Sequence, residues 1–157
     1  MRNLLVSVDL SETSIAVVDR ASCLAQSFGS RLCLLHVFPP RHGRVPYNLD
    51  RHHLRKEMAR EIVDKRHKLR ELGEKLRRDR VNVTLRSIAG NIPNVILNEA
   101  QRIDADLIIL GSHGHGNLYH ALLGGVGQKV KRKAMCPVML VRRPAYFTDS
   151  AAGSCAL

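Results

Sequence analysis

Short apolar runs alternate with longer stretches of helical periodicity along this chain, and that alternation predicts its architecture. Leu4–Val8 is one apolar run, and Leu32–Phe38 is another, bounded by Gly29-Ser30 and Pro39-Pro40. Between them Ile15, Val18, Ala21, Leu24, Ala25 and Phe28 recur at the spacing of one helix face, with Ser11 placed to cap its start. Arg41 to Asn48 holds Gly43 and Pro46 and reads as a loop. From Asp50 to Asp79, Leu54, Met58, Ile62, Leu69, Leu72 and Leu76 mark the inner face of a long helix, in which Gly73 predicts late fraying or a bend. Val81–Ile88 reads as a third strand. Gly90-Asn91-Ile92-Pro93 then opens a helix with Ile92, Val95, Ile96, Ala100 and Ile103 facing inward, and Pro93 suits the first turn, where a missing N–H costs nothing. Asp106–Leu110 is apolar almost throughout, as a strand covered on both faces should be. A glycine-rich loop, a helix from about Gly125 to Ala134 and a fifth strand at Pro137–Val141 complete the series.

Five strands alternating with four helices imply an α/β fold: a doubly wound, mostly parallel five-stranded sheet with helices on both faces, Rossmann-like in construction. With 157 residues the chain suffices for one domain with a core of its own. The expected domain spans residues 1–143, and residues 144–157, which lack periodicity, are expected to form a flexible tail.

Composition narrows the class. No apolar run approaches the roughly 18–20 residues of a membrane span, and the opening Met1-Arg2-Asn3-Leu4-Leu5 shows no secretory h-region, so a cytoplasmic location without membrane contact is expected. Cys23, Cys33, Cys136 and Cys155 show no CxxC spacing; the first three lie in apolar stretches and are expected to be buried, reduced thiols. The net charge of +11 is densest from Arg51 to Arg86, where Lys and Arg alternate with Glu57, Glu61, Asp64, Glu71 and Glu74, the pattern of a solvated helix face. An electrostatic footprint for nucleic acid would look similar. Only 4% of residues are aromatic, however, and no nucleic-acid motif is present, so that partner is not expected.

In doubly wound sheets, ligands bind outside the carboxyl ends of the strands where the strand order reverses. Two positions answer that description: Ser7-Val8-Asp9 at the end of the first strand, and Gly111-Ser112-His113-Gly114-His115-Gly116 after the fourth. Glycines there let backbone N–H groups converge on an anion, and Gly124-Gly125-Val126-Gly127 precedes a helix whose N-terminus is a ready phosphate site. Asp9 is placed to accept hydrogen bonds from a ribose. Spacing alone is equally compatible with tight strand-to-helix turns and no ligand. Two commoner motifs are absent: Asn117-Leu118 replace the Lys-Ser/Thr of a P-loop, and Tyr119 occupies the third glycine position of the dinucleotide fingerprint. Without a P-loop lysine, efficient phosphoryl transfer is not expected.

Over Leu4 to about Val141 the chain resembles the universal stress protein family. Val6-Ser7-Val8-Asp9-Leu10-Ser11 is similar to the family's first strand and its acidic end, Leu34-Leu35-His36-Val37 to the second strand, and Ala105-Asp106-Leu107-Ile108-Ile109-Leu110-Gly111 to the fourth. Gly111, Gly114 and Gly124 match the signature Gly-x2-Gly-x9-Gly, and Cys136-Pro137-Val138 resembles the start of the last strand. The resemblance implies strand order 3-2-1-4-5 and ATP or AMP at the switch point, with Mg2+ accompanying ATP. It implies Asp9 near the ribose, with Ser7 and Val8 also at the nucleotide, Val37 and Leu110 beside the adenine, Gly111, His113 and Gly114 near ribose and phosphates, and Gly124, Gly125 and Val126 binding phosphate through backbone N–H groups. It also implies a homodimer through the last strand, Val138 to Val141. Gly125 departs from the signature, which has Ser or Thr there; the lost hydroxyl removes a charge-assisted hydrogen bond of about 1.5–3 kcal/mol.

The remaining chemistry is sparse. His113, His115 and His120 cluster near the proposed site, and His42, His52 and His53 near the long helix, but no His/Cys/Asp set has zinc-site spacing. Ser7, Ser11 and Ser112 have no readable base partner, so a dedicated enzyme is not expected, slow ATP hydrolysis at most. The competing expectation is a dimeric interaction module that binds no nucleotide and recruits an unknown protein partner through its basic surface.

Overall fold

The computed structural model describes residues 1–39, 51–111 and 125–141, with backbone alone for residue 13 and residues 51–55. The elements follow in the order β1 (Asn3–Val8), α1 (Thr13–Phe28), β2 (Arg31–Phe38), α2 (Arg51–Arg78), β3 (Val83–Ala89), α3 (Ile92–Arg102), β4 (Leu107–Gly111), α4 (Val126–Lys133) and β5 (Val138–Val141). They form one sheet of order β3-β2-β1-β4-β5, parallel at every pairing. The order expected from the family resemblance is the order found. The expected loop at Arg41 to Asn48 and the tail 144–157 lie outside the described residues.

The strands' side chains alternate between two cores, one on each face of the sheet. Leu4, Val6 and Val8 of β1, Leu32 and Leu34 of β2, and Leu107 and Ile109 of β4 face α1 and α2, where Val17, Val18, Ala21, Leu69 and Leu76 meet them. Leu5, Cys33, Leu35, Val37, Ile108 and Leu110 face α3 and α4 and pack on Ile96, Ala100 and Val130. β1 and β4 read as unbroken apolar runs because both their faces are covered.

Three helix expectations need correction. The buried stripe of α1 is centred on Ser14, Val17, Val18, Ala21 and Ala25, which leaves Ile15 and Phe28 outside it at 50% and 53% exposure. Ser11 does not cap α1; Glu12 is the N-cap residue and makes no side-chain cap bond. On α2, Met58 is exposed while Leu69 and Leu76 are buried. A helix of 28 residues is about 42 Å long, whereas the eight residues of β2 span about 26 Å, so the first turns of α2 outrun the sheet.

The expected fraying at Gly73 does not occur, and α2 continues through it to Arg78. A Cβ there would lie 2.7 Å from Leu85 Cδ2 and 3.2 Å from its Cγ, so the missing side chain lets the helix approach β3. The third strand begins at Val83 rather than Val81, because Arg80 turns at φ 60° and Val81, buried, donates its N–H to Leu76. Asn91 caps α3 by accepting from the Asn94 N–H, with Pro93 in the first turn. Buried Glu99 ties α3 to β3, accepting from Arg86 Nε at 3.2 Å and from Arg102 Nε at 3.1 Å.

Cys33 and Cys136 are free thiols, and burial pushes Cys33 up to about 11. Cys23, expected to be reduced, is instead disulfide-bonded. No described helix is long and apolar enough to cross a membrane.

Two outcomes follow from this packing. Gly73→Leu overpacks the α2–β3 contact and lowers the unfolding free energy by about 1–3 kcal/mol, read from the urea midpoint at unchanged slope. Burial raises the Glu99 pKa, but the Arg102 and Arg86 hydrogen bonds outweigh it and hold the carboxyl below its ordinary value of 4.5. A depressed carboxylate contributes stability above its unfolded pKa and loses it as pH falls through the folded one. Glu99→Gln is therefore expected to be less stable at neutral pH by about 1 kcal/mol and to lose stability less steeply below pH 4.5 in acid-denaturation curves.

Candidate functional site

The two edges of the sheet are finished differently. At the amino edge the Asp106 carboxylate accepts the N–H groups of Arg2 and Asn3, at 2.5 and 2.9 Å, and closes the entry to β1. These bonds from the Asn3 and Arg2 amides depress the Asp106 pKa. The carboxyl edge is less complete. Asp9 follows β1, and its Oδ1 accepts from the Ser11 N–H at 3.0 Å, the Ser11 hydroxyl at 2.6 Å and the Ser14 hydroxyl at 2.9 Å. Its Oδ2 is buried and has no hydrogen-bond partner among the described residues. Leu10, next in the chain, holds a left-handed conformation at φ 63°, unusual for a branched apolar residue, and is 8% exposed. The turn that reverses the chain into α1 is thus strained, and three donors on one carboxylate oxygen fix it.

The strand register shows which expected site residues come together. Ser7 lies beside Leu35 on one side and Leu110 on the other. Ser7, Val37 and Leu110 therefore share the face that carries α3 and α4, near the carboxyl edge. Val37 and Leu110 are each 5% exposed, packed into the core. Val8 points to the opposite face, beneath α1 and α2, so its side chain is not part of a site shared with those three. Gly111 ends β4, and a Cβ there would meet Val17 Cγ2 at 3.2 Å, so this glycine also serves the close approach of α1 to the sheet. Gly125 and Val126 begin α4. A crossover helix runs antiparallel to its strands, which puts the unpaired N–H groups of its first turn at the carboxyl edge. Gly125 has φ −102° and ψ −103°, outside the helical and extended regions, and it supplies no side-chain cap. His113, Gly114 and Gly124, with His42, His115 and His120, lie outside the described residues.

One residue of this edge was not singled out from the sequence. His36 sits opposite Val8 in the β1–β2 register and is 3% exposed. Its Nδ1 lies 2.9 Å from the Val8 carbonyl oxygen. A carbonyl only accepts, so Nδ1 carries the proton and Nε2 is the bare nitrogen; Nε2 is buried without a partner among the described residues. The ring meets Phe38 edge-on, centroids 4.7 Å apart. Burial lowers the His36 pKa and Lys65 adds to that, while the Val8 carbonyl, Asp9 and Glu61 oppose it. The available signal was a lone imidazole in the otherwise apolar run Leu32–Phe38.

Among the described residues no group of three or more His, Cys, Asp or Glu could hold a metal ion. A hollow of about 380 Å³ along the charged face of α2 and another of about 350 Å³ between α3 and α4 include none of the Asp9 or His36 atoms. The chemistry on offer at the carboxyl edge is acceptors from β1 and β2 and amide donors from α4.

The model of the universal stress protein family matches residues 1–142. A universal stress protein of Thermus aquaticus is 29% identical over 147 residues, covering 90% of this chain and 98% of that one. Universal stress protein UspA from Lactobacillus plantarum superposes with a TM-score of 0.75 at 24% identity, covering 90% of this chain and 97% of the other. An Arabidopsis thaliana family member solved with AMP bound gives a TM-score of 0.66 at 20% identity, over 92% and 94% of the two chains. Structures described as complexes with cAMP and, from Archaeoglobus fulgidus, with dAMP give TM-scores of 0.67 and 0.64 at 21% and 20% identity. At these identities the structural likeness is one of fold; the family follows from the match along the sequence. The chain belongs to the universal stress protein family.

Proposed function

We propose that this protein binds an adenine nucleotide, ATP or AMP, at the carboxyl edge of β1 and β4, as a regulatory ligand and not as the substrate of a dedicated reaction. The observation that carries the reading is Asp9 Oδ2, a buried acceptor left without a donor where the strand order reverses. A ribose hydroxyl supplies the missing donor. Family members solved with AMP, cAMP and dAMP support the choice of adenine nucleotide over other hydroxyl-bearing ligands.

In this reading the adenine rests against the wall at Val37 and Leu110, and Ser7 and Asp9 face the ribose. Gly111, His113 and Gly114 adjoin the ribose and phosphates. The phosphates meet the amides of Gly124, Gly125 and Val126 at the start of α4, where the helix field favours an anion. Gly125 keeps its N–H but has no hydroxyl, which weakens the hold on a terminal phosphate and narrows the preference for ATP, with its Mg2+, over AMP.

The dimer of this reading forms through β5, an edge strand in which Met139 and Leu140 are 39% and 46% exposed. An unpaired strand edge with apolar side chains invites pairing with a second copy. The setting proposed is the cytoplasm and the response to stress. The Cys23 disulfide argues against that compartment, and the free Cys33 and Cys136 argue for it.

A ligand at about 100 times its Kd stabilises the folded state by about 2.7 kcal/mol, which raises the melting temperature of a chain this size by roughly 5–10 °C. Millimolar AMP or ATP is expected to give that rise in the wild type, and Gly114→Val to abolish it. Asp9→Asn is expected to weaken binding roughly tenfold. No shift in the wild type contradicts the nucleotide reading and leaves the partner-recruiting module. In the same preparation Met139→Lys is expected to sediment as a monomer and the wild type as a dimer; a monomeric wild type overturns the β5 interface.

A further inference from the structure

The geometry points to His36 as a positioning residue of this site, one that holds the exit of β1 in place only while its ring is neutral, so that ligand affinity depends on the His36 proton. The inference rests on the nucleotide reading above and adds a regulation to it.

The ladders of β1 run out at its carboxyl end: pairing with β4 stops at Ser7 and pairing with β2 stops at Val8. The Val8 carbonyl is held by a side chain, His36 Nδ1–H at 2.9 Å. One residue on is Asp9, whose Oδ2 is the acceptor offered to the ligand, and then Leu10 at φ 63°. The strained turn is thus anchored on the α1 side by Ser11 and Ser14 and on the β2 side by His36. A positional error of about 1 Å in an acceptor can cost a hundredfold in the interaction it supports, so the anchor matters to the ligand although it need not touch it.

The second ring nitrogen makes the anchor proton-sensitive. Nε2 is buried with no partner in a residue 3% exposed. Adding a proton there creates an unpartnered N–H and a buried charge, both costly. Among the described residues the charged groups facing the ring are Asp9 at the end of β1 and Glu61 and Lys65 on α2, and its own strand contributes the Phe38 ring. Glu61 already pairs with Lys65 at 3.1 Å, so that carboxylate is shared with a cation. Relief comes by the protonated ring swinging out, which gives up the Val8 bond. The group favours the neutral form, its pKa lying below the ordinary 6.5, so the neutral anchor is complete above that pH and is lost as pH falls through the lowered value.

The test is AMP binding by calorimetry from pH 7.5 to pH 5 for the wild type, His36→Asn and His36→Leu. Asn places an amide N–H where Nδ1 stands and does not titrate; Leu fills space without a donor. The nucleotide phosphate itself titrates near pH 6, and that contribution is common to all three proteins and cancels between them. His36→Asn is expected to bind at pH 7.5 within about threefold of the wild type, and His36→Leu about tenfold more weakly. Toward pH 5 the wild type is expected to lose roughly fivefold more affinity than His36→Asn. Equal pH profiles for wild type and His36→Asn overturn the proton dependence, and wild-type affinity in His36→Leu overturns the anchor. If His36→Leu does not fold, the comparison of wild type with His36→Asn decides alone. A wild type that binds AMP at no pH overturns the nucleotide reading itself and this inference with it.

Discussion

The Asp9 carboxylate is the point on which the rest of this molecule turns. One of its oxygens is saturated by three donors from the start of α1, and the other is buried and unmet. The saturated oxygen explains why the chain tolerates a left-handed leucine immediately after it: a charge-assisted cluster offsets a backbone cost of about 1–3 kcal/mol. The unmet oxygen explains why the edge reads as unfinished. A buried acceptor without a partner is rare in folded proteins and asks for a water or a ligand. The contrast with Asp106, which spends one oxygen on two backbone amides at the opposite edge, separates a structural carboxylate from a candidate binding one.

Most of the scaffold was legible because its physics is local and periodic. The β4 run is apolar on both faces and Asn91-Ile92-Pro93 is a helix start in three residues; both elements fall where expected, within a residue or two. What was not legible depends on distant partners. Ser11 has the right chemistry for an N-cap, but the same hydroxyl serves Asp9 better, and sequence offers no way to rank the two acceptors. Gly73 looked like a weakness in α2 until Leu85, on a neighbouring element, gave it a packing role. His36, not singled out within the apolar run of β2, proved to be the donor for the Val8 carbonyl at the last pair of the β1–β2 ladder. The inner face of α1 holds at Val18, Ala21 and Ala25 and fails only toward its ends, where Ile15 and Phe28 are half exposed. Of the candidate site, Asp9 follows the end of β1 and Gly111 ends β4, Val8 points to the other face, and residues 112–124 of the glycine signature lie outside the described residues.

The excess positive charge is distributed in a way the fold does not require. Residues 51–78 carry eleven Lys and Arg against five acids, more than half of the net +11. Among the described side chains Lys75 pairs with Asp19 on α1, and Lys65 with Glu61. Residues 125–141 add Lys129, Lys131, Arg132 and Lys133 with no acid, and the last three lie in the final turn of α4, where cations complement the helix carbonyls. That helix therefore favours an anion at its start and satisfies its own end, a polarity suited to a phosphate at the carboxyl edge.

A crystal structure of the protein grown with AMP tests the central claim most directly. The account predicts a nucleotide at the exits of β1 and β4, with a ribose hydroxyl within hydrogen-bonding distance of Asp9 Oδ2 and phosphate at the first turn of α4. A nucleotide bound elsewhere, or Asp9 Oδ2 satisfied by one of the protein's own donors with the edge closed over it, contradicts it.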